Sequence, residues 1–302
     1  MGYRRIILGL AARPRVVRLL TRHGLSLGAR RFVAGESLEE GIRAAQALGS
    51  QGLRVTLDYL GEKVTDLAMA AEAAHMYGRM LSALAQARLA PNVSLKLSQF
   101  GLTLDAARCL ELAREVVARA RELGGFVRLD MEESFLVDPA LEVFRALVRE
   151  FPGHVGPVLQ AYLYRSEADL RSLLPLGLNV RLCKGAYSEP PSVAFAKKRD
   201  VDRNFRHLIR IALEGGAFVA VATHDEAIID YAIQAATRLG AGDRWELQML
   251  YGVKPRLQKR LAERGLPVRI YVPFGTHWYP YLIRRLAERP ANVAFVLRGL
   301  WG

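Results

Sequence analysis

Two spacings of apolar residues alternate along the chain. Eight short apolar runs, many rich in β-branched residues, are separated by longer stretches in which apolar residues recur every three or four positions. Short runs are typical of buried strands, and the longer spacing is typical of amphipathic helices. The predicted strands are Leu53–Asp58, Asn92–Leu97, Phe126–Asp130, Val155–Gln160, Leu178–Cys183, Phe218–Thr223, Trp245–Leu250 and Val268–Val272. Helical spacing is clearest over Ala106–Leu123 and Asp225–Leu239.

The alternation of strands and helices continues without a stretch that resembles a linker. Such alternation predicts parallel βαβ units. Eight units fit a closed (β/α)8 barrel better than an open doubly wound sheet, although periodicity alone leaves closure open. We therefore predict an α/β protein with one catalytic barrel domain over residues 1–302. Residues 1–45 are expected to form an N-terminal helical arm, and residues 46–302 the barrel.

The composition is that of an ordinary globular protein, with 51% apolar and 24% charged residues among 302. These values exclude a disordered or fibrous chain. Cys109 and Cys183 are far apart in sequence, which argues against a disulfide scaffold or a cysteine metal site. No apolar run approaches the ~18 residues of a membrane-spanning helix. We expect a cytoplasmic enzyme.

Basic residues exceed acidic ones by 43 to 30, which gives a net charge of +13. Residues 1–35 contain eight Arg interleaved with apolar residues, and no acidic residue precedes Glu36. This segment is compatible with contact to an anionic membrane or to nucleic acid phosphates, with a transit peptide, and with a helix packed on the domain. Genome composition or growth at high temperature would also explain the excess of Arg.

Polar residues close nearly every predicted strand. In a (β/α)8 barrel the C-terminal ends of the strands meet at one rim, where the chemistry of such enzymes takes place. We therefore expect these residues to line one pocket. They are Asp58, Lys96, Ser98, Asp130, Glu132, Glu133, Gln160, Arg181, Lys184, Thr223, His224, Asp225, Glu246, Gln248 and Tyr271.

Several of these residues suggest particular chemistry. Lys96 and Lys184 suit Schiff-base formation or the binding of a carboxylate. Asp130 needs a cationic partner if it is buried. The turn Arg181-Leu-Cys-Lys-Gly-Ala-Tyr187 combines two cations with a glycine, so a planar or anionic ligand can approach its backbone. We interpret His224 as a hydrogen-bonded rim residue, because no metal-ligand spacing accompanies it. Cys183, within the turn Arg181–Tyr187, is expected to be a small core residue.

The last predicted helix places Tyr281, Arg284, Arg285 and Glu288 on one face. Either this face is solvated, with Glu288 paired to its Arg neighbours, or the two guanidinium groups clamp a carboxylate beside an aromatic ring. Gly240-Ala-Gly242 lacks the third glycine and the following helix of a dinucleotide-binding fingerprint. A nucleotide cofactor would therefore have to be held in another way.

Motifs at successive strand ends resemble those of the monofunctional bacterial proline dehydrogenases and of the proline dehydrogenase domain of bifunctional proline-utilisation enzymes. They are Arg31-Phe-Val-Ala-Gly-Glu36, Asp58-Tyr-Leu-Gly-Glu62, Leu129-Asp-Met-Glu132, Gln160-Ala-Tyr-Leu163, Arg181-Leu-Cys-Lys-Gly-Ala-Tyr187, Ala222-Thr-His224, Gln248-Met-Leu-Tyr-Gly252 and Tyr281-Leu-Ile-Arg-Arg285 with Glu288. Each motif alone is weak, but their order makes the set specific. Asp225 and Cys183 stand where the family usually has Asn and Val.

The resemblance implies a distorted (β/α)8 TIM-type barrel whose last helix caps a pocket for noncovalent FAD. It implies oxidation of L-proline to 1-pyrroline-5-carboxylate by hydride transfer to the flavin, as the first step of proline catabolism, with a quinone as electron acceptor. Asp130 and Arg181 would be catalytic, and Asp130 would also hold Lys96 in position. Substrate-binding residues would be Lys96, Tyr271, Tyr281, Arg284 and Arg285. Cofactor-binding residues would be Met131, Gln160, Arg181, Lys184, Gly185, Ala186, Thr223 and His224.

A quinone acceptor would give the basic arm a reason to contact the inner face of the cell membrane, so we expect peripheral association there. We expect no nucleic acid partner and no metal. Two other functions stay open. One is a Schiff-base lyase or aldolase that uses Lys96 or Lys184, and the other is a basic nucleic-acid-binding protein. A flavin absorption band, borohydride trapping of an imine and salt-dependent binding of oligonucleotides would distinguish the three.

Overall fold

Parallel strands close into a barrel at the centre of the molecule. The computed structural model describes residues 29–61 and 64–288. The strands are β1 (Arg54–Tyr59), β2 (Asn92–Lys96), β3 (Phe126–Asp130), β4 (Val155–Gln160), β5 (Asn179–Cys183), β6 (Phe218–Ala222), β7 (Trp245–Leu250) and β8 (Val268–Phe274). They pair in sequence order, and β8 pairs with β1 from Arg54↔Arg269 to Tyr59↔Phe274. This pairing closes the sheet, so the predicted barrel is confirmed over the open sheet.

Helices follow the strands and form the outer layer. They are α1 (Leu38–Gly49), α2 (Leu67–Gln86), α3 (Ala106–Glu122), α4 (Val137–Glu150), α5 (Ser166–Leu173), α6 (Lys198–Glu214), α7 (Glu226–Arg238), α8 (Pro255–Glu263) and α9 (Trp278–Glu288). A capping box starts α1: Ser37 accepts from the Glu40 backbone N–H, and the Glu40 carboxylate accepts from the Ser37 backbone. Asp66 and Asp105 cap α2 and α3 through their carboxylates.

The strands direct apolar side chains toward the helices and polar side chains toward the barrel axis. On β2, Val93 and Leu95 belong to the helix-facing core. Alternating with them, Ser94 and Lys96 make hydrogen bonds inside the barrel. Because side chains alternate sides along a strand, the helix-facing positions explain the apolar runs of the sequence. The polar positions between them converge in the barrel interior.

The N-terminal segment and α9 pack together over the C-terminal ends of the strands. The apolar cluster that joins them contains Phe32, Val33, Leu60, Trp278, Tyr281, Leu282 and Ile283. The Trp278 indole N–H donates to the Glu36 carboxylate at 3.0 Å. Arg31 Nε donates to the Gly252 carbonyl oxygen at 3.2 Å, at a place where a Cβ on Gly252 would collide with the Arg31 backbone. α1 packs on the outside of β8 and β1, so this outer position is already taken. α9 lies over the barrel mouth instead. The expected distortion, a barrel whose last helix covers the pocket, is therefore confirmed.

The observed strand boundaries differ from the predicted ones by at most two residues, with the largest difference at the end of β8. The two predicted helical stretches correspond to α3 and α7. Residues 1–28 lie outside the described residues, so of the predicted N-terminal arm the structure describes residues 29–45, with a 3-10 turn at Ala29–Arg31 and the start of α1 as its helical parts. Within the described ranges, no helix combines the length and apolar character needed to cross a membrane.

Candidate active site

A cavity of about 440 Å³ lies at the C-terminal ends of the strands, and α9 contributes to its wall. Most of the predicted site residues line it, from sequence positions as distant as 96 and 285. These residues are Lys96, Asp130, Met131, Gln160, Arg181, Lys184, Gly185, Ala186, Thr223, His224, Tyr271, Tyr281 and Arg285. Arg284 belongs to α9, but its side chain is outside the described part of the structure.

Arg181 on β5 lies between the barrel interior and the cavity and is fixed by three partners. Its Nε donates to Gln248 Oε1 at 2.5 Å. Its Nη1 donates to Asp130 Oδ1 at 2.5 Å, and its Nη2 donates to Ser94 Oγ at 2.8 Å. The guanidinium carbon is also 5.4 Å from the centre of the Tyr271 ring, within cation–π range. With every nitrogen engaged, the guanidinium is held in one orientation at the cavity wall.

Asp130 on β3 links Arg181 to Tyr271. Its Oδ2 accepts a hydrogen bond from the Tyr271 hydroxyl at 2.9 Å, while Oδ1 accepts from Arg181. Burial raises the pKa of Asp130, although the charges of Arg181 and Lys96 oppose this shift. Burial and the Asp130 charge raise the pKa of Tyr271, so its hydroxyl stays protonated as the donor. Arg181 is thus the cationic partner that a buried Asp130 was expected to need.

Lys96 on β2 pairs with Asp58 on β1. Its Nζ lies 3.2 Å from Oδ1 and 3.4 Å from Oδ2 of Asp58. Asp58 is fully buried and also accepts from the Tyr77 hydroxyl at 3.4 Å. The carboxylate that directly holds Lys96 is therefore Asp58, whereas the resemblance assigned this role to Asp130. The charge of Asp130 acts on Lys96 through space.

Glu246 and Gln248 both point into the barrel from β7, but at different depths. Gln248 lines the cavity, whereas Glu246 is 2% exposed and accepts from Arg269 Nε at 2.7 Å below the lining. The prediction that Glu246 reaches the rim pocket is wrong, because alternate residues share a face of the strand but differ in height by about 6.6 Å. Four other residues of the predicted rim are not among those that line the cavity: Asp58, Ser98, Glu132 and Glu133.

The turn after β5 has no room for a side chain at Gly185. Its φ is +109°, and a Cβ would collide with the ring of Tyr162. The backbone N–H of Tyr162 donates to the Lys184 carbonyl oxygen at 2.9 Å, which holds this turn against the loop after β4. Gly185 and Ala186 therefore present their backbone at the cavity wall.

Lys184 belongs to a cluster of four charges at the edge of the cavity. Its Nζ lies 2.5 Å from Asp202 Oδ1 and 2.9 Å from Asp225 Oδ2. Lys198 also contacts both carboxylates. Burial opposes ionisation of Asp225, but the hydrogen bonds and charges of the two lysines outweigh it and lower its pKa to about 2.

The pairing of the two candidate lysines weakens the lyase or aldolase alternative. Lys96 contacts Asp58, and Lys184 contacts two carboxylates. A Schiff-base lysine attacks a carbonyl as a neutral amine, usually in a pocket without such partners. At both lysines these ion pairs would have to break before the amine could attack a carbonyl.

Hydrogen bonds orient three polar side chains of the cavity wall, those of Gln160, Thr223 and His224. Gln160 Nε2 donates to the Glu132 carbonyl oxygen at 2.8 Å. His224 Nε2 accepts from the Leu250 backbone N–H at 2.9 Å, which places the proton of a neutral imidazole on Nδ1. The Thr223 hydroxyl accepts from the backbone two residues further on, at 3.1 Å. These side chains are therefore oriented by the protein itself.

Tyr281 and Arg285 reach the cavity from α9, one helical turn apart. The Arg285 guanidinium carbon is 5.2 Å from the centre of the Tyr281 ring, and the two residues are 8% and 5% exposed, respectively. A buried guanidinium is suited to bind a carboxylate through two parallel hydrogen bonds. The side chains of Arg284 and Glu288 lie outside the described residues, so of the expected pair of guanidinium groups the structure describes Arg285.

Several lining residues were not among the predicted site residues. Cys183 was expected in the core, but it lines the cavity, and burial raises the pKa of its thiol to about 11, so it is a poor nucleophile at neutral pH. Gln248, in contrast, was expected at the rim, and it lines the cavity. Val158 and Leu250 carry no signal in the sequence, because they resemble any buried strand residue.

A (β/α)8 barrel with charged residues around a cavity at the strand ends, and with its last helix over the mouth, defines a barrel enzyme for a small charged substrate. The chain belongs to the proline dehydrogenase family, whose sequence profile matches residues 41–298. The resemblance that the motifs indicated is thus confirmed.

The relatives of this chain include both short and long proteins. It is 46% identical to a proline dehydrogenase of Deinococcus radiodurans over 99% of this chain and 97% of that protein. It is 40% identical to proline dehydrogenase 1 of Bacillus subtilis over 98% of each chain. Among solved structures, proline utilization A of Bdellovibrio bacteriovorus inactivated by N-propargylglycine matches with a TM-score of 0.80 and 27% identity. That match covers 86% of this chain and 32% of the longer one.

Proposed function

We propose that this protein oxidises L-proline to 1-pyrroline-5-carboxylate with FAD as its bound cofactor. Membership of the proline dehydrogenase family supports the substrate and the reaction. The observation that carries the proposal for this chain is the convergence of Lys96, Arg181 and Arg285 with Tyr271 and Tyr281 on one cavity. Fixed cations beside two aromatic rings suit a small ring that bears a carboxylate.

The residues of the cavity fit a flavin. The wall combines apolar side chains, among them Met131, Val158 and Leu250, with hydrogen-bonding groups, as the flat faces and polar edge of an isoalloxazine require. At Gly185 the Tyr162 ring leaves no room for a side chain, so the turn borders the cavity with its backbone, which a cofactor can approach closely. The residues that would hold FAD are Met131, Gln160, Arg181, Lys184, Gly185, Ala186, Thr223 and His224. When bound, the flavin supplies the acceptor for the hydride.

Residues around the other part of the cavity would bind proline. The carboxylate would be neutralised by Lys96, Arg284 and Arg285, and the pyrrolidine ring would lie between Tyr271 and Tyr281. The ring of Tyr271 is fixed by its hydroxyl, which donates to Asp130. The substrate amine must be neutral when the adjacent carbon loses a hydride, and nearby fixed cations favour that neutral form.

Asp130 and Arg181 would be the catalytic residues. Arg181 presents a fixed positive charge at the cavity wall, and Asp130 holds it through a hydrogen bond of 2.5 Å. A cation that is already oriented stabilises negative charge developing beside it without reorganisation during the reaction.

We propose that a quinone is the electron acceptor. The protein would act as one catalytic barrel domain in the cytoplasm, in contact with the inner face of the membrane. The Arg-rich N-terminal segment supports a peripheral contact with anionic lipid. Removal of residues 1–28 should reduce binding to anionic vesicles and leave activity with a soluble dye intact. Equal vesicle binding by the shortened protein would contradict this role.

The reaction is tested by product analysis. The purified holoprotein is incubated with L-proline and a soluble quinone analogue, and the cyclic imine is trapped and quantified. One equivalent of 1-pyrroline-5-carboxylate should form for each equivalent of quinone reduced, with D-proline as the control substrate. Reduction of the quinone without this product, or no turnover of L-proline, would overturn the proposal.

A further inference from the structure

A chain of hydrogen bonds runs through the barrel interior to the cavity. Glu246 Oε1 accepts from Gln248 Nε2 at 2.6 Å, and Gln248 Oε1 accepts from Arg181 Nε at 2.5 Å. Glu246 and Gln248 are 2% and 5% exposed, respectively. The reaction proposed above uses Arg181, but it gives Glu246 no part.

The direction of these hydrogen bonds is set by Glu246, at the end of the series that lies furthest from the cavity. The amide of Gln248 has one end that donates and one end that accepts. A carboxylate accepts only, so Glu246 attracts the NH2 end of Gln248 and leaves the amide oxygen facing Arg181. If the amide were reversed, its oxygen would face the carboxylate and its NH2 would face the Arg181 N–H, and both contacts would be repulsive.

Glu246 is itself fixed in place and in charge. Arg269 donates to both of its oxygens, from Nε at 2.7 Å and from Nη2 at 3.1 Å. A further hydrogen bond anchors Arg269 to the Val55 carbonyl oxygen at 2.7 Å. Arg54 adds an ion pair at 3.3 Å. Burial opposes ionisation of Glu246, but Arg269 and the hydrogen bonds outweigh it and lower the pKa of Glu246. The series of hydrogen bonds that leads to Arg181 is therefore anchored by the Glu246 carboxylate, which is held on rigid strands.

We propose that Glu246 is a positioning residue: it orients the Gln248 amide and, through that amide, fixes the Arg181 guanidinium at the cavity. The proposal rests on the proposed function, because Arg181 has a catalytic role only if the cavity holds the flavin. Arg181 also contacts Asp130 and Ser94. Loss of the Gln248 contact should therefore weaken the orientation of Arg181 without releasing it.

The test uses Glu246→Gln, Glu246→Asp, Gln248→Met and the double variants in the holoprotein. Glu246→Asp keeps the charge that Arg269 needs, but it withdraws the acceptor from Gln248 by one methylene. Glu150→Gln is the matched control, because it breaks a two-bond pair with Arg114 on the outer helices, at 2.8 and 3.0 Å. The measured quantities are kcat, KM for proline, the flavin absorption spectrum, the flavin midpoint potential and the melting temperature.

Glu246→Gln and Glu246→Asp should lower kcat about tenfold, with KM changed less than about twofold, as expected for supporting residues behind a site. Both should also shift the flavin midpoint potential, whereas Glu150→Gln should match the wild type. In the Gln248→Met background each Glu246 change should lower kcat by less than about twofold, because residues that act through one contact are not additive.

Three results would overturn the inference. In the first, both Glu246 variants keep the wild-type kcat and midpoint potential. In the second, they lower kcat equally with and without Gln248, which would mean that Glu246 acts only through charge or folding. In the third, Glu246→Gln does not fold and Glu246→Asp folds with wild-type properties. If the wild type itself bound no flavin, the proposed function would fall and this inference with it. If the wild type were active and Glu246→Asp had the same kcat and midpoint potential, only the inference would be refuted.

Discussion

Asp130→Asn replaces the carboxylate between Arg181 and Tyr271 with an amide of the same shape. The guanidinium of Arg181 only donates, so the Asn oxygen should keep facing it in place of Oδ1, now 2.5 Å from Arg181 Nη1. The Asn NH2 group would then face the Tyr271 oxygen, now 2.9 Å away, and the Tyr271 hydroxyl can accept that hydrogen bond. The contacts survive in number, and what is lost is the negative charge.

The expected loss follows from the charge of this contact. Hydrogen bonds to charged groups contribute about 1.5–3 kcal/mol, and neutral ones about 0.5–1.5 kcal/mol. The change should therefore weaken the hold on Arg181 by about 1–2 kcal/mol. If Arg181 stabilises the transition state, kcat/KM for proline should fall about 5- to 30-fold.

Steady-state kinetics with proline and a soluble acceptor measure this effect. Asp138→Asn is the matched control: Asp138 pairs with Arg165 on the outer surface and is 72% exposed. This control should leave kcat/KM unchanged, since exposed ion pairs contribute about 0–1 kcal/mol to stability. A kcat/KM for Asp130→Asn equal to that of the wild type would refute the catalytic role of the Asp130–Arg181 pair.

Three further changes test other parts of the site. Arg285→Met should weaken binding of a proline-like carboxylate inhibitor by about 1.5–3 kcal/mol in titration calorimetry, and unchanged affinity would exclude Arg285 as its ligand. Gly185→Ala should lower the melting temperature and FAD affinity more than Gly153→Ala, because both glycines have positive φ but only Gly185 has a ring in the way; equal effects would mean that the turn yields. The pKa of Asp225 is about 2 in the folded protein against an ordinary 3.8, so its contribution to stability is present above about pH 4 and lost as pH falls toward 2. Asp225→Asn should therefore lose less unfolding free energy than the wild type between about pH 4 and pH 2 in denaturant titrations, and identical pH profiles would contradict this.

The strands could be predicted from the sequence because their helix-facing side is consistently apolar. Val93 and Leu95 on β2 mark the strand, and Ser94 and Lys96 mark the side that faces the barrel axis. The same reasoning brought polar residues from position 96 to position 271 to one rim, because parallel strands of a barrel end together. Tyr281 and Arg285 lie on the last helix, and the resemblance, not the strand pattern, placed them in the site.

Depth and partners could not be predicted in this way. A period of two gives the face of a residue but not its height, so Glu246 was expected at the rim although it lies one layer below. The resemblance named Asp130 for Lys96, and the register of β2 and β3 does place these two residues side by side. The Lys96 ammonium nevertheless contacts Asp58 on the other neighbouring strand, and strand register alone does not decide between the two carboxylates. The closeness of Gly185 and Tyr162 depends on two loops that meet only in the folded chain.

The central claim is that the cavity holds a flavin which proline reduces. The most direct measurement is the visible spectrum of the purified protein, recorded without oxygen before and after the addition of L-proline. We expect a flavin band at about 450 nm that proline bleaches and a quinone restores. A protein that binds no flavin when FAD is supplied, or a flavin band that persists at saturating proline, would contradict the account.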